Sequence, residues 1–292
     1  MKLTLQHETR EDGIVTLWLS HPERSIVVLD SWLLDQLHMF FDWLETRDPP
    51  RGLVIMSASP KVFLAGADLA EISKLSDEQL HVYLTEGSEA FARISSLDCP
   101  TVAAIHGAAL GGGLELAMHC DGVVAAAPAL DEKPYRLGLP EASLGICPGW
   151  GGTQMLPARI DPAQAILMTA TGETRTLLEF PPGLIDRVVD NTDDLHEAAL
   201  HWVDAQEAHP TRTPKCIDDS NREAVQAALK AVQGMLPNTP AAHAVVEAVQ
   251  IGIDEGFAAA LAAERRLLVS LRHTKEASER ISKFLSRSAK TS

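Results

Sequence analysis

Residues 99–117 read CPTVAAIHGAALGGGLELA, and the fold class turns on them. After Pro100, the run Thr101–Ile105 is short, apolar and partly β-branched, which predicts a buried strand. Gly111, Gly112 and Gly113 then make a turn, and a helix follows through Cys120. Strand, glycine turn and helix together form an α/β unit. With no Cβ on three successive residues, a ligand can approach the backbone closely. The N–H groups that open the helix have no intrahelical partner, so the turn can hold an anion.

Outward from this unit, strand and helix signals alternate through the first half. Lys2–Glu8 and Gly13–Ser20 read as two strands joined across Asp12-Gly13, a hairpin signal. Ser31 is the expected cap of a helix to about Arg47, with Trp32, Leu33, Leu37, Phe40, Phe41 and Leu44 as its stripe. Asp48-Pro49-Pro50 stops it. Gly52–Ser57 reads as a strand, the stretch from Asp68 to about Ser95 as helices, and Gly122–Ala127 as a further strand. From Leu195 onward the chain is helix-forming over 223–234, 241–253, 257–272 and 274–286. The expected organisation is an α/β core over 1–205 and a helical region over 206–292, with the linker His209–Pro214 between them.

The 292 residues carry a formal net charge of −15, with 46% hydrophobic and 22% charged residues. That balance argues against a nucleic-acid or anionic-membrane partner, since both need a basic face. The four cysteines (Cys99, Cys120, Cys147, Cys216) are scattered, as expected of free thiols in a reducing compartment. The first residues, MKLTLQHETREDG, place charges where a signal peptide needs an apolar run. No stretch is long and apolar enough to span a bilayer. A cytoplasmic protein is expected.

Two further stretches bear on chemistry. Residues 62–69 read VFLAGADL, a small-residue turn (Ala65, Gly66, Ala67) at a helix entrance marked by Asp68. Residues 138–154 read GLPEASLGICPGWGGTQ and contain Glu141, Gly149 and Trp150. Two backbone turns converging on one oxygen make an oxyanion hole, and removing one such donor costs about 3–4 kcal/mol in the barrier. Glu115, in the first turn of its helix, and Glu141, after Pro140, both have apolar neighbours. Two carboxyls in one cleft do not both ionise cheaply, so one stays protonated, which is what acid–base chemistry needs.

Each residue also has a bland reading. A triple glycine before a helix can serve tight packing alone. Glu115 can be a charge meeting a helix dipole, and Glu141 a solvated helix start. Asp68 and Asp121 read as caps or hydrogen-bond anchors. Lys61 either meets a phosphate or is a solvated surface lysine, and Trp150 either lines a pocket or fills the core. His106, His119 and Cys120 lack metal-ligand spacing, so no metal site is expected.

AGAD, GGGLELA and GLPEASLGICPGWGGTQ, in that order, resemble the crotonase (enoyl-CoA hydratase/isomerase) superfamily. Within it, the chain is most similar to the hydratase part of the multifunctional fatty-acid-oxidation alpha subunit. The likeness continues through Leu184–Val189 and the tail around His273–Ala277 and Phe284-Leu285. The dehydrogenase part of that subunit has no counterpart, as no G-x-G-x-x-G occurs. The resemblance implies a spiral of repeated β-β-α units with a helical C-terminal region. It implies hydration of 2-enoyl-CoA to 3-hydroxyacyl-CoA of the fatty-acid β-oxidation type. The N–H groups of Ala67 and Gly112 would form the oxyanion hole, and Glu115 and Glu141 the acid–base pair. Beside these, Ala65, Gly66, Asp68, Lys61, Gly111, Gly149 and Trp150 are the candidate substrate-binding residues. It implies no metal, flavin or nicotinamide, since CoA arrives with the substrate. A homotrimer or hexamer is implied, and a separate dehydrogenase is a candidate partner.

Departures from the family pattern touch acyl specificity. Residues 128–136 are extra relative to simple hydratases. RSIVVL at 24–29 replaces an Asn-Ala-Leu-Asn type of sequence, and His106 stands where Asn or Asp is usual. Two alternatives remain: a Δ3–Δ2-enoyl-CoA isomerase, or another CoA-thioester reaction of the superfamily, and an inactive binding or assembly paralogue. A serine hydrolase lacks its G-x-S-x-G, and a nucleotide loop lacks Lys-Ser/Thr after the glycines.

Overall fold

The computed structural model describes residues 2–129, 131–206 and 214–288. The linker His209–Pro214, apart from Pro214, lies outside the described residues. The chain opens with the expected hairpin, β1 (Gln6–Thr9) and β2 (Ile14–Leu19), followed by α1 (Ser31–Glu45). Next come β3 (Gly52–Ser57), β4 (Val62–Leu64), α2 (Leu69–Ile72) and α3 (Asp77–Ser95). The glycine unit is β5 (Thr101–Ile105), β6 (Ala108–Leu110) and α4 (Gly112–His119). β7 (Gly122–Ala126) and β8 (Arg136–Gly138) lead into a 3-10 turn at Pro140–Leu144. α5 (Gly152–Met155), α6 (Pro162–Thr171), β9 (Thr174–Thr176), β10 (Arg187–Val189) and α7 (Leu195–Asp204) complete this part. α8 (Arg222–Val232), α9 (Pro240–Glu255), α10 (Phe257–Leu271) and α11 (Lys275–Ser288) follow.

The described strands form two sheets. Six strands order as β1-β2-β3-β5-β7-β10, and four short ones as β4-β6-β8-β9. β3 then β4, β5 then β6, and β7 then β8 each send their first strand to the large sheet and the second to the small one. Each pair is followed by a helix or helical turn, so the chain advances by repeated β-β-α units, as the resemblance implied. The small sheet escaped sequence reading because strands of three residues are too short to display a period of two.

The parallel centre of the large sheet is buried on both faces, which is why GLVIMS reads as an unbroken apolar run. Leu53 and Ile55 point into the main core, while Val54 and Met56 point to the opposite face. That opposite face is covered by Leu195, Ala198, Ala199, Leu200 and Val203 of α7. All four cysteines are buried, and no described helix is long and apolar enough to cross a membrane. The cap of α1 is Asp30, not Ser31: Asp30 Oδ1 accepts from Leu33 N at 2.9 Å. The Ser31 hydroxyl instead donates to Glu71. Asp121 is an anchor as read, accepting from both the amide and the hydroxyl of Thr101.

The start of α4 lies against β4. A Cβ at Gly113 would stand 2.1 Å from the Leu64 carbonyl oxygen, a backbone atom that cannot swing aside. Gly113→Ala is therefore expected to cost about 1–3 kcal/mol of stability or more, measured as a fall in the urea midpoint. An unchanged midpoint would contradict this packing.

Candidate active site

The turn Ala65–Ala67 leaves β4 with Gly66 at φ 88°, and the turn before α4 has Gly111 at φ 54°. A Cβ at Gly66 would lie 2.8 Å from Leu110 O and 3.7 Å from Gly112 N. The two backbones approach this closely because Gly66 has no side chain. Leu29 bridges the first turn: its N–H donates to Gly66 O, and its carbonyl accepts from Asp68 N, both at 2.8 Å. Successive N–H groups of an extended segment alternate in direction, so the Ala67 N–H points away from Leu29. Gly112 is the first residue of α4, so its N–H has no acceptor within the helix.

Ala67 and Gly112 line one cavity of about 560 Å³, counting the mouth open to solvent. Leu69, Ile72, Tyr83, Leu84, Leu144, Ile146 and Leu268 make its apolar wall. Its polar end holds both predicted carboxyls, Glu115 and Glu141, beside Ala65, Gly66, Gly111, Gly149 and Trp150. An apolar cleft with a few convergent polar groups is the usual form of a small-molecule site.

Glu115, on α4, is 1% exposed. Its Oε1 accepts from the amides of Trp150 and Gly152, each at 2.8 Å. Glu141, in the 3-10 turn, reaches the other side of the glycine turn, where a Cβ at Gly111 would meet its Oε1 at 2.5 Å. Its Oε2 is buried without a hydrogen-bond partner. A third carboxyl, Glu264 of α10, is fully buried behind them and does not line the cavity. Sequence reading missed it, although Ala260, Ala263, Leu267, Leu268 and Leu271 make the buried face of that helix. A glutamate on an apolar helical stripe was the available signal.

Burial holds the Glu115 carboxyl well above the usual carboxylate range, and the charges of Glu141 and Glu264 add to the effect. Burial also pushes Glu141 up to about 8, again with Glu264 contributing. Repulsion is mutual, so the protons belong to the group of carboxyls rather than to one residue. Burial weighs against a charge on either group, and the donors favour it on Glu115, which holds two amides, over Glu141, which has one backbone donor and an Oε2 with none. The charge is best held on Glu115 and the proton on Glu141. His119 is kept neutral by burial, at about 4, between Ser95 Oγ at 2.9 Å and Trp150 O at 3.0 Å.

The remaining sequence-predicted residues divide. Trp150 serves both of its readings, lining the cavity and packing in the core, with its indole N–H donating to Leu84 O at 2.9 Å. Asp68 caps α2 and pairs with Arg24 at 2.6 Å, outside the cavity lining. Lys61 lines a separate groove with His106, Pro128, Asp131, Glu132, Lys133 and Tyr135. Among the described residues, Asp30, Asp68 and Glu71 form one group with ligand atoms within 4.8 Å of one another. Arg24 pairs with two of them and Ser31 donates to the third, so their charge is met locally.

The sequence matches the enoyl-CoA hydratase/isomerase family over residues 9–229. It is 33% identical over 283 residues to the fatty acid oxidation complex subunit alpha of Idiomarina loihiensis, covering 92% of this chain and 39% of that protein. The subunit of the same name from Vibrio cholerae is 34% identical over 278 residues, covering 91% of this chain and 39% of that protein. The chain thus spans about two fifths of the length of these relatives. In structure it is similar to an enoyl-CoA hydratase from Bacillus anthracis, with 27% identity, a TM-score of 0.62 and coverage of 97% and 96% of the two chains. The fold is shared with human mitochondrial delta3-delta2-enoyl-CoA isomerase, with 22% identity, a TM-score of 0.70 and 98% coverage of each chain.

A carboxyl whose pKa is raised by folding binds protons in the native state that the unfolded chain has released. Its burden on stability is absent below about pH 4.5 and grows as pH rises toward the folded value. Glu141→Gln removes that burden. It is expected to raise stability by about 0.5–2 kcal/mol at pH 8 and to leave it nearly unchanged at pH 4, read from urea midpoints. A variant less stable than wild type at pH 8 would contradict the buried, unpartnered carboxyl.

Proposed function

Since this chain belongs to the enoyl-CoA hydratase/isomerase family of enzymes, we propose that it adds water across the double bond of 2-enoyl-CoA thioesters to give 3-hydroxyacyl-CoA. The reading is carried by one observation: Glu115 and Glu141 enter the same cavity at the point where the turns at Gly66 and Gly111 meet.

The thioester carbonyl sits between the N–H groups of Ala67 and Gly112, with the acyl chain along the apolar wall. Glu115, carrying the charge, takes a proton from water as the water oxygen bonds to the β-carbon. The double-bond electrons move toward the thioester, and the resulting enolate oxygen is stabilised by the two amides. Glu141 then gives its proton to the α-carbon. H and OH have been added, and the proton now on Glu115 returns to Glu141 through the carboxyl pair or solvent. Overall oxidation state does not change, so the protein needs no redox cofactor, and the amides do the work that a Lewis acid would otherwise do.

The isomerase alternative moves a proton between carbons, and one carboxylate suffices for it. Two buried carboxyls in one cavity favour water addition. Further parts of the proposal are assembly as a homotrimer or hexamer and cooperation with a separate dehydrogenase that oxidises the hydroxyl product.

Loss of the enoyl-thioester absorbance with crotonyl-CoA and longer homologues tests the reading; no loss at any chain length would overturn it. Glu115→Gln and Glu141→Gln are each expected to lower kcat at least about 100-fold with KM little changed. A kcat within about tenfold of wild type for either would remove that residue from the mechanism. In the wild type, kcat is expected to decline as pH rises past about 8, as Glu141 loses its proton.

A further inference from the structure

Four consecutive backbone amides divide between two buried carboxyls. Trp150 N and Gly152 N donate to Glu115, each at 2.8 Å. Gly151 N donates to Glu264 Oε2 at 2.6 Å, and Thr153 N to Glu264 Oε1 at 3.0 Å. The Thr153 hydroxyl adds a third donor to Glu264 at 2.5 Å. The stretch 150–153 is therefore gripped from both sides, with alternate amides facing opposite ways. Gly151, at φ 101°, makes the reversal possible.

We propose that Glu264 is a positioning residue for the reaction: by holding the Gly151 and Thr153 amides from outside the cavity, it turns the Trp150 and Gly152 amides onto Glu115. Burial raises the pKa of the Glu264 carboxyl, and its hydrogen bonds, all from donors, work against burial in favour of the charged form. Nothing about reach allows Glu264 to touch the substrate, since it does not line the cavity. Its charge acts through the amides and across the interior. The ionisable groups around it are Glu115 of α4, Glu141 of the 3-10 turn and Arg265 beside it on α10. Cys147, whose thiol donates to the Glu264 carbonyl at 3.6 Å, completes the set with neutral His119 behind Trp150. Arg265 is turned to Ser88 on α3, at 3.0 Å, and its charge still favours the ionised form of Glu264. An ionised Glu264 raises the proton affinity of Glu115 and Glu141.

The substitution Glu264→Gln keeps the shape but places an NH2 against an N–H donor and removes the charge. Expected is a kcat about 10- to 100-fold lower with KM nearly unchanged, and an alkaline limb of kcat displaced to lower pH, because Glu141 no longer feels the negative charge. Thr153→Val, which leaves both amides and the carboxylate in place, should shift the limb in the same direction by less. A Glu264→Gln protein with wild-type kcat and an unmoved limb would overturn the proposal. A protein that merely melts earlier, with both kinetic readouts unmoved, would overturn it equally and leave Glu264 a packing residue.

The proposal rests on the hydratase reading for its choice of substrate, and the two fail differently. Wild type inactive on every enoyl-CoA sinks that reading, whereas a Glu264→Gln to wild-type ratio near one sinks this one. The amide resonance of Gly152 in ¹⁵N-glycine-labelled protein gives the same titration without turnover. It should follow ionisation of Glu115, with a midpoint at lower pH in Glu264→Gln than in wild type; equal midpoints would contradict the proposal.

Discussion

Two stretches of main chain from different β-β-α units can meet only where neither carries a side chain on the facing side. Here a Cβ on Gly66 would stand 2.8 Å from Leu110 O, closer than a real side chain comes, with Gly112 N 3.7 Å away. Much of the architecture serves that approach. The small sheet pairs β4 with β6 and so brings the two turns into register. Leu29 ties the first turn from behind, and Tyr83 in turn holds the Leu29 carbonyl at 2.7 Å. The second turn is set by the seat of α4 on Leu64, where Gly113 leaves no room for a methyl group.

Placing carboxyls behind this junction is expensive. An ionised group in an apolar interior must be matched by donors or be neutralised. Four consecutive amides of one segment serve the two buried glutamates, Glu115 and Glu264, while the half-buried Glu141 keeps a buried oxygen unmatched. A scaffold optimised for stability would avoid this arrangement. A scaffold that has to shuttle a proton requires it, because groups with unequal donors hold unequal charge at one pH.

The large sheet and its helices were legible because their signals are long: six-residue apolar strands, helices with a clear stripe, and proline or glycine stops. The two glycine turns and two glutamates stood out through the resemblance of three ordered motifs, since each residue alone reads equally as packing, a helix-dipole charge or a solvated helix start. The strands of the small sheet, at three residues each, carry no periodic signal. The cap of α1 moved by one residue because Asp30 and Ser31 are both good caps, and a tertiary bond from Ser31 to Glu71 decided between them. Glu264 stands about a hundred residues from the amides it holds, and no local pattern links them. Its only trace was a charge on the buried side of α10. Lys61 and Asp68 flank the first turn in sequence, but neither lines this cavity: Asp68 pairs with Arg24, and Lys61 lines a separate groove.

The most direct measurement is a crystal structure with an acyl-CoA thioester bound. The account places the thioester oxygen within about 3.1 Å of both Ala67 N and Gly112 N, with the β-carbon facing Glu115 and Glu141. A thioester oxygen bound by neither amide, or carboxyls turned away from the acyl chain, would contradict it.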